Sequence, residues 1–330
     1  MCVMSIRLIS VVKTISYSAV IGLTAALCAP AAAQEIQVPL DVVEDSSLRT
    51  TVSGVNVSEQ GVLSLAHMNI ENFDALAGLT DVNTLILDGS NITDLTPVSK
   101  IKGLKMLSLN ETNIRDLSPL AGMKTLKYLY LSDTPVSDIS TLQSLKSLED
   151  VSLDYSFIED ITPLAKLGNL RRISLKGTLV SDVSSLRKLT SVKWFNISDS
   201  LVSDIAVVAH FQDLRTLSLG GTIVDSIDPV KDLRNLKILH LDGTLVTDLS
   251  PVSKLSKLTE LNVGLTPVSD LLPLEQLGSL RLLDASITNV VDLKPIADLK
   301  RLRQVFLQGS QVQDISVLYM LMGKGLQVEL

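Results

Sequence analysis

The chain has 330 residues, is 46% hydrophobic but only 3% aromatic, and carries a formal net charge of −7. This balance excludes a core built on rings and points to an aliphatic interior in which one side-chain size recurs. The acidic surplus argues against general nucleic-acid binding.

In chain order, residues 1–33 read as a cleaved export signal. Arg7 and Lys13 supply the positive start, "ISYSAVIGLTAALCA" a short apolar run, and Ala31-x-Ala33 a small-residue cleavage site before Gln34. The run is shorter than the roughly 20 residues a membrane-spanning helix needs. Both cysteines, Cys2 and Cys28, lie in this segment, so the mature chain is expected to have no thiol nucleophile, disulfide or thiolate metal site. A lipid anchor would use Cys28, but Leu27 before it is too bulky for the usual lipobox. Loss of Arg7 and Lys13 leaves 27 basic against 36 acidic residues, a net charge of −9. The expected location is exported, either periplasmic or secreted.

Residues 34–60 lack any repeat but carry Val52, Val55 and Val57 near Gly54, and are expected to form an N-terminal cap. From residue 61 to 323 the chain repeats itself twelve times with a step of 22 residues. "DGSNITDLTPVSKI" (88–101), "NETNIRDLSPLAGM" (110–123) and "DGTLVTDLSPVSKL" (242–255) show the pattern. An Asp marks each unit, from Asp94 to Asp314, with Ser226 the one substitution and Asn72 extending the register backwards.

The apolar positions of one unit are Leu79, Val82, Leu85, Leu87, Ile92, Leu95 and Val98, with Ile101 opening the next. The step of two between Leu85 and Leu87 is strand alternation. The steps of three that follow suit a 3₁₀ turn, whose side chains recur every third residue. Each unit is therefore predicted to be a short strand, a bend and a compact return. No unit can bury its apolar edge alone, so the units stack into one parallel sheet with a continuous interior. "LQVEL" (326–330) reads as a further, closing strand shifted by one residue, within a terminal segment 324–330.

"LKMLSLNETNIRDLSPLAGM" (104–123) resembles the leucine-rich repeat of the bacterial internalin-like, 22-residue type, L-x-x-L-x-L-x-x-N-x-I-x-D-I/L-x-P-L. The resemblance covers about four-fifths of the chain. It implies an α/β repeat solenoid: a right-handed superhelix with a parallel β-sheet on its concave face and 3₁₀ or irregular turns on its convex face. It also implies a protein-interaction or adhesion role. Family members commonly continue into an immunoglobulin-like region and a cell-wall anchor; no counterpart occurs within the 330 residues, so attachment by that route is not expected.

Where that family has Asn, this chain has a hydroxyl column running from Ser90 through Thr112, Thr134 and Ser156 to Ser310. A hydroxyl ladder is expected to replace the family's amide ladder. Each Asp of the repeat is expected to accept a backbone N–H at the start of the return, with Ser118 the donor to Asp116, rather than to hold a metal. Calcium repeats carry several oxygen ligands per turn, and this one offers a single carboxylate.

No catalytic or cofactor site is expected. His67, His210 and His240 are isolated in the register, and no nucleophile elbow, H-E-x-x-H or phosphate loop interrupts it. The informative variation lies at strand positions that point away from the interior. Four neighbouring units place Tyr128, Tyr130, Asp150, Asp154, Tyr155, Phe157, Arg172, Lys176 and Trp194 there. Tyr, Trp and Arg are hot-spot residue types, which suggests a protein-binding patch on the concave face. The bland alternative is scattered aromatics that merely shield the sheet. Lys105, Lys127, Arg171, Lys193, Arg215, Lys237, Arg281 and Arg303 form a basic edge beside Lys102, Lys124 and Lys146. That edge could meet an anionic glycan or envelope surface, or could simply be a solvated rim. A binding module for a protein partner is the expected function; a structural scaffold of the cell envelope is the alternative.

Overall fold

The computed structural model describes Ser58, residues 60–79 and residues 81–330; the export segment and nearly all of the expected cap lie outside the described residues. Thirteen three-residue strands, β1 to β13, form one parallel sheet in strict chain order. Each consists of a central residue with one neighbour on either side. The centres are Leu63, Leu85, Leu107, Leu129, Val151, Ile173, Phe195, Leu217, Leu239, Leu261, Leu283, Val305 and Val328. Those from Leu85 to Val305 are fully buried, as the alternation requires. The pairing step is 22 residues from Leu63↔Leu85 onwards, and becomes 23 only at Val305↔Val328.

The returns are 3₁₀ turns, such as Ser118–Gly122 and Thr162–Lys166, and they stack on one another as the strands do. Leu120, Leu142 and Leu164 point from successive returns into the same spine. A single α-helical turn among the described residues, α1 (Tyr319–Met322), precedes β13. Among the described residues two fully buried rings interrupt the aliphatic interior mid-array, where Phe195 and Phe211 meet edge to face at 5.5 Å.

The Asp column does what a short carboxylate at a turn entry should. Ser118 donates its N–H to Asp116 Oδ1 at 2.7 Å. The same bond, to the amide two residues on, recurs at Asp94, Asp138, Asp160, Asp182, Asp204, Asp248, Asp270, Asp292 and Asp314. Ser226 and Asn72 substitute with their own oxygens. The hydroxyl and amide of Thr96 hold the Asp94 carboxyl below its usual range, and the amide of Ser184 does so for Asp182.

The hydroxyl column behaves differently from expectation. From Thr112 to Thr288 the side chains are buried but bond within their own coil, while at the ends Ser90 Oγ has no hydrogen-bond partner and Ser310 is half-buried. Thr112 Oγ1 donates to Leu109 O at 2.6 Å and Thr178 Oγ1 to Leu175 O at 2.7 Å, each three residues back in its own unit. Coil-to-coil bonding is left to the backbone, as in Leu131 N–H to Ser152 O at 2.9 Å. A hydroxyl arm is too short to reach the next coil, so it closes the bend beneath it instead.

That bend follows a rule that the residue types conceal. The residue just before each hydroxyl has positive φ, from Gly89 (61°) through Glu111, Asp133 and Tyr155 to Ile287 (51°) and Gly309 (67°), and His67 (58°) takes the same conformation one coil earlier, ahead of Met68. The left-handed turn swings the chain off the strand and aims the hydroxyl inward. Replacing Thr178 or Thr244 by Val keeps the shape but leaves Leu175 O or Leu241 O without its side-chain donor. Each exchange is expected to cost about 1 kcal/mol or more in equilibrium denaturation; unchanged midpoints in both variants would remove the hydroxyls from the account of stability.

Candidate protein-binding surface

Strands β4 to β7 set one column of side chains on the exposed face. Their register pairs Tyr128 with Asp150, Asp150 with Arg172, and Arg172 with Trp194. Adjacent strands are about 4.8 Å apart, which brings these four side chains within reach of one another. Arg172 Nε lies 3.1 Å from Asp150 Oδ2, and its guanidinium carbon sits 4.7 Å from the Trp194 ring centre. Tyr130, from the next outward position of β4, brings its hydroxyl to 3.5 Å from the same Asp150 oxygen.

Asp150 is therefore not a contact residue. It is only 8% exposed and lies beneath its neighbours. Burial pushes its carboxyl up to about 6, against the opposing pull of Arg172 and the Tyr130 hydroxyl. Burial, and then the charge of Asp150, pushes the Tyr130 phenol up as well. The guanidinium is exposed, planar and held on two sides, by the carboxylate and by the indole face.

A second cluster forms on the adjoining rim. Asp154 Oδ1 accepts the Lys176 N–H at 2.8 Å, tying two coils together. Lys176 Nζ lies 5.5 Å from the Tyr155 ring centre and 3.7 Å from Asp199 Oδ2. Burial lowers the Lys176 ammonium, but Tyr155, Asp199 and Asp154 together outweigh it and leave it raised. Burial raises the Asp154 carboxyl. Tyr155 has φ 56° and leans over Gly177; a methyl group on Gly177 would come within 2.4 Å of its ring. Glycine is needed there for its own φ of 65° and for the space it leaves. Phe157 stands on the outer rim, 49% exposed.

Register and contacts thus sort eight of the nine residues into a group around Arg172 and a group around Lys176. Sequence reasoning missed Asp199, which completes the second group. It also missed a shallow polar cavity of about 240 Å³ beside it, lined by Lys176, Asn196, Asp199, His240 and Asp242 among others. His240 Nε2 lies 2.9 Å from Glu260 Oε1. The pairs Tyr130–Asp150 and His240–Glu260 share a separation of 20 residues. In a 22-residue coil that is the diagonal neighbour, and it is legible in the sequence once the register is known. The basic edge is partly neutralised, since Lys127 Nζ lies 2.8 Å from Glu149 Oε1. Among the described residues no group of three or more His, Cys, Asp or Glu is placed to hold a metal ion.

Against this geometry, the family model for leucine-rich repeats matches residues 102–144 and 124–166. An internalin, InlF, of Listeria monocytogenes has a similar structure, with a TM-score of 0.75 and 24% identity over 82% of this chain and 86% of that one. A leucine-rich repeat protein of Leptospira interrogans gives 0.66 and 19% over 78% and 74%. The functional domain of InlJ from Listeria monocytogenes gives 0.60 and 20% over 77% and 54%. Comparison with curated proteins finds no match.

The unfolded chain releases an Asp proton near pH 3.9, whereas folded Asp150 keeps it to about 6. Between those values the native state binds more protons, so this group makes stability fall as pH rises through that window. Asp150→Asn is expected to remove that contribution, flattening the stability–pH curve between about pH 4 and 6 in denaturant titrations. Parallel curves for the two proteins would show that Asp150 titrates normally.

Proposed function

We propose that this leucine-rich repeat protein, internalin-like in repeat and in fold, is an exported binding module that recognises a protein partner through the face of β4 to β7. The observation that carries the reading is the column Asp150–Arg172–Trp194, in which a buried carboxylate and an indole hold an exposed guanidinium in one place. Arg and Trp at the centre of a face are the residues that dominate interfaces. Here their rotamers are already restricted, so little side-chain entropy remains to be lost on docking. Lys176 on Tyr155 extends the same principle to the rim.

The rest of the molecule suits a presenter rather than a catalyst. The aliphatic spine fixes the backbone, and the site's polar groups pair with one another instead of converging on a reacting atom. Export to the periplasm or beyond rests on residues 1–33, which lie outside the described residues. Among the described residues no helix is long and apolar enough to cross a membrane. Adhesion is the role we assign to such a surface.

The test is retention of partner proteins by immobilised full chain. The double variant Trp194→Ala/Tyr130→Ala is expected to lose about 2 kcal/mol or more of binding energy, on the order of thirtyfold in affinity. Its circular dichroism should stay that of the wild type. Arg172→Lys keeps the charge but loses the planar stack, and should weaken the same partner. A partner held equally well by all three proteins binds elsewhere.

A further inference from the structure

The rim that follows the strands carries a ridge of exposed aliphatic side chains that the concave patch does not use. Leu179, Leu201, Ile223 and Leu245 occupy one position in four consecutive coils and are 42%, 56%, 58% and 55% exposed. Leu265 and Ile287 continue the line two residues earlier in the next two coils, 60% and 56% exposed. Of the fifteen large apolar side chains exposed among the described residues, eight lie on this rim, so the exposure is concentrated rather than scattered. The backbone beneath is stitched from coil to coil, with the Leu179 amide bonded to Ile158 O at 3.0 Å and that of Leu245 to Val224 O at 2.9 Å.

Two features separate this ridge from incidental surface. Leu265 and Ile287 sit at the left-handed position, with φ 59° and 51°. Gly221, Gly243 and Gly309 take the same position without strain, and a β-branched residue there is an outlier. Glycine would meet the bend's demand with less strain than Ile287, so the strained aliphatic side chain is an outlier that points to a hypothesis of function. The second feature is charge. Exposed Glu159, Asp182, Asp204, Asp248 and Asp270 border the ridge on its convex side, and Asp242 and Asp199, the latter paired with Lys176, lie on its concave side.

We propose that this ridge docks a cationic amphipathic helix of a partner protein. Acid on both borders selects Lys and Arg flanking an aliphatic stripe. The same borders disfavour a second copy, which would set like charges together, and an anionic membrane. The dimensions fit: six coils at about 4.8 Å span about 24 Å, the length of roughly 16 helical residues, and a helical pitch of about 5.4 Å offers close to one stripe residue per coil.

The probe is a synthetic peptide of about 18 residues with a leucine stripe flanked by lysines, titrated against the full chain. Two control peptides replace Lys by Glu or scramble the stripe. The wild type is expected to bind the lysine peptide at least about tenfold more tightly than either control, and salt should weaken that binding. The variant Leu201→Ser/Ile223→Ser/Leu245→Ser should lose about tenfold, and each single exchange a detectable part of it. Ile287→Gly should weaken the peptide without lowering the thermal midpoint. Trp194→Ala/Tyr130→Ala should leave the peptide affinity unchanged, which separates this surface from the concave one. Equal binding by the triple variant and by every single variant, or equal binding of the glutamate peptide, would overturn the proposal. So would ridge-dependent self-association or ridge-dependent binding to anionic vesicles.

Discussion

Each coil donates backbone amides to the carbonyls of both the coil before it and the coil after it, and the aliphatic spine closes behind them. A coil removed from the stack exposes two rows of unpaired backbone groups and two apolar faces. Stability is therefore shared between neighbours, and so is geometry. Because the register advances by 22 residues from β1 to β12, every side chain inherits a fixed set of neighbours from a single rule. The unbroken column from Leu85 to Val305 is the physical cause of the Arg172 stack as much as of the core.

What the sequence made legible follows from where selection by the fold is strongest. Burial leaves little choice, so Leu85, Ile92 and Leu95 could be assigned inward from periodicity alone. The Asp column was legible because a short oxygen at a turn entry has few substitutes, and Ser226 and Asn72 are among them. The left-handed column was not legible. Its occupants include His67, Glu111, Tyr155, Leu265 and Ile287, which share no chemistry; the position is imposed by the bend, and the residue only tolerates it. Glycine at some of these sites hints at the conformation, but the hint needs the others aligned beside it.

The concave patch shows the same divide at the level of function. Its members were found because aromatics are rare in this chain and these fall in neighbouring coils. Their roles were not found. Asp150 and Arg172 occupy equivalent outward positions, yet the structure buries one and exposes the other. The reason is length: a short carboxylate is reached by the longer side chains of Arg172 and Tyr130, while the guanidinium extends to solvent. A reading by columns alone passes over diagonals, so Tyr130–Asp150 and His240–Glu260 emerge only when the 22-residue register is read two residues short.

Charge and apolar surface are then sorted by the same rule into separate edges. Lysines and arginines gather ahead of the strands, from Lys105 to Arg303. Carboxylates gather after the strands, where the turn entry requires them. The acidic rim is thus a by-product of the fold's own capping, present before any partner is considered. An aliphatic ridge laid inside it has a different status, since no capping or packing demand places Leu201 or Ile223 in solvent, and left-handed Ile287 works against the backbone. Residues that stability does not require, set in a field that stability does require, are where a solenoid can acquire a partner without altering its spine.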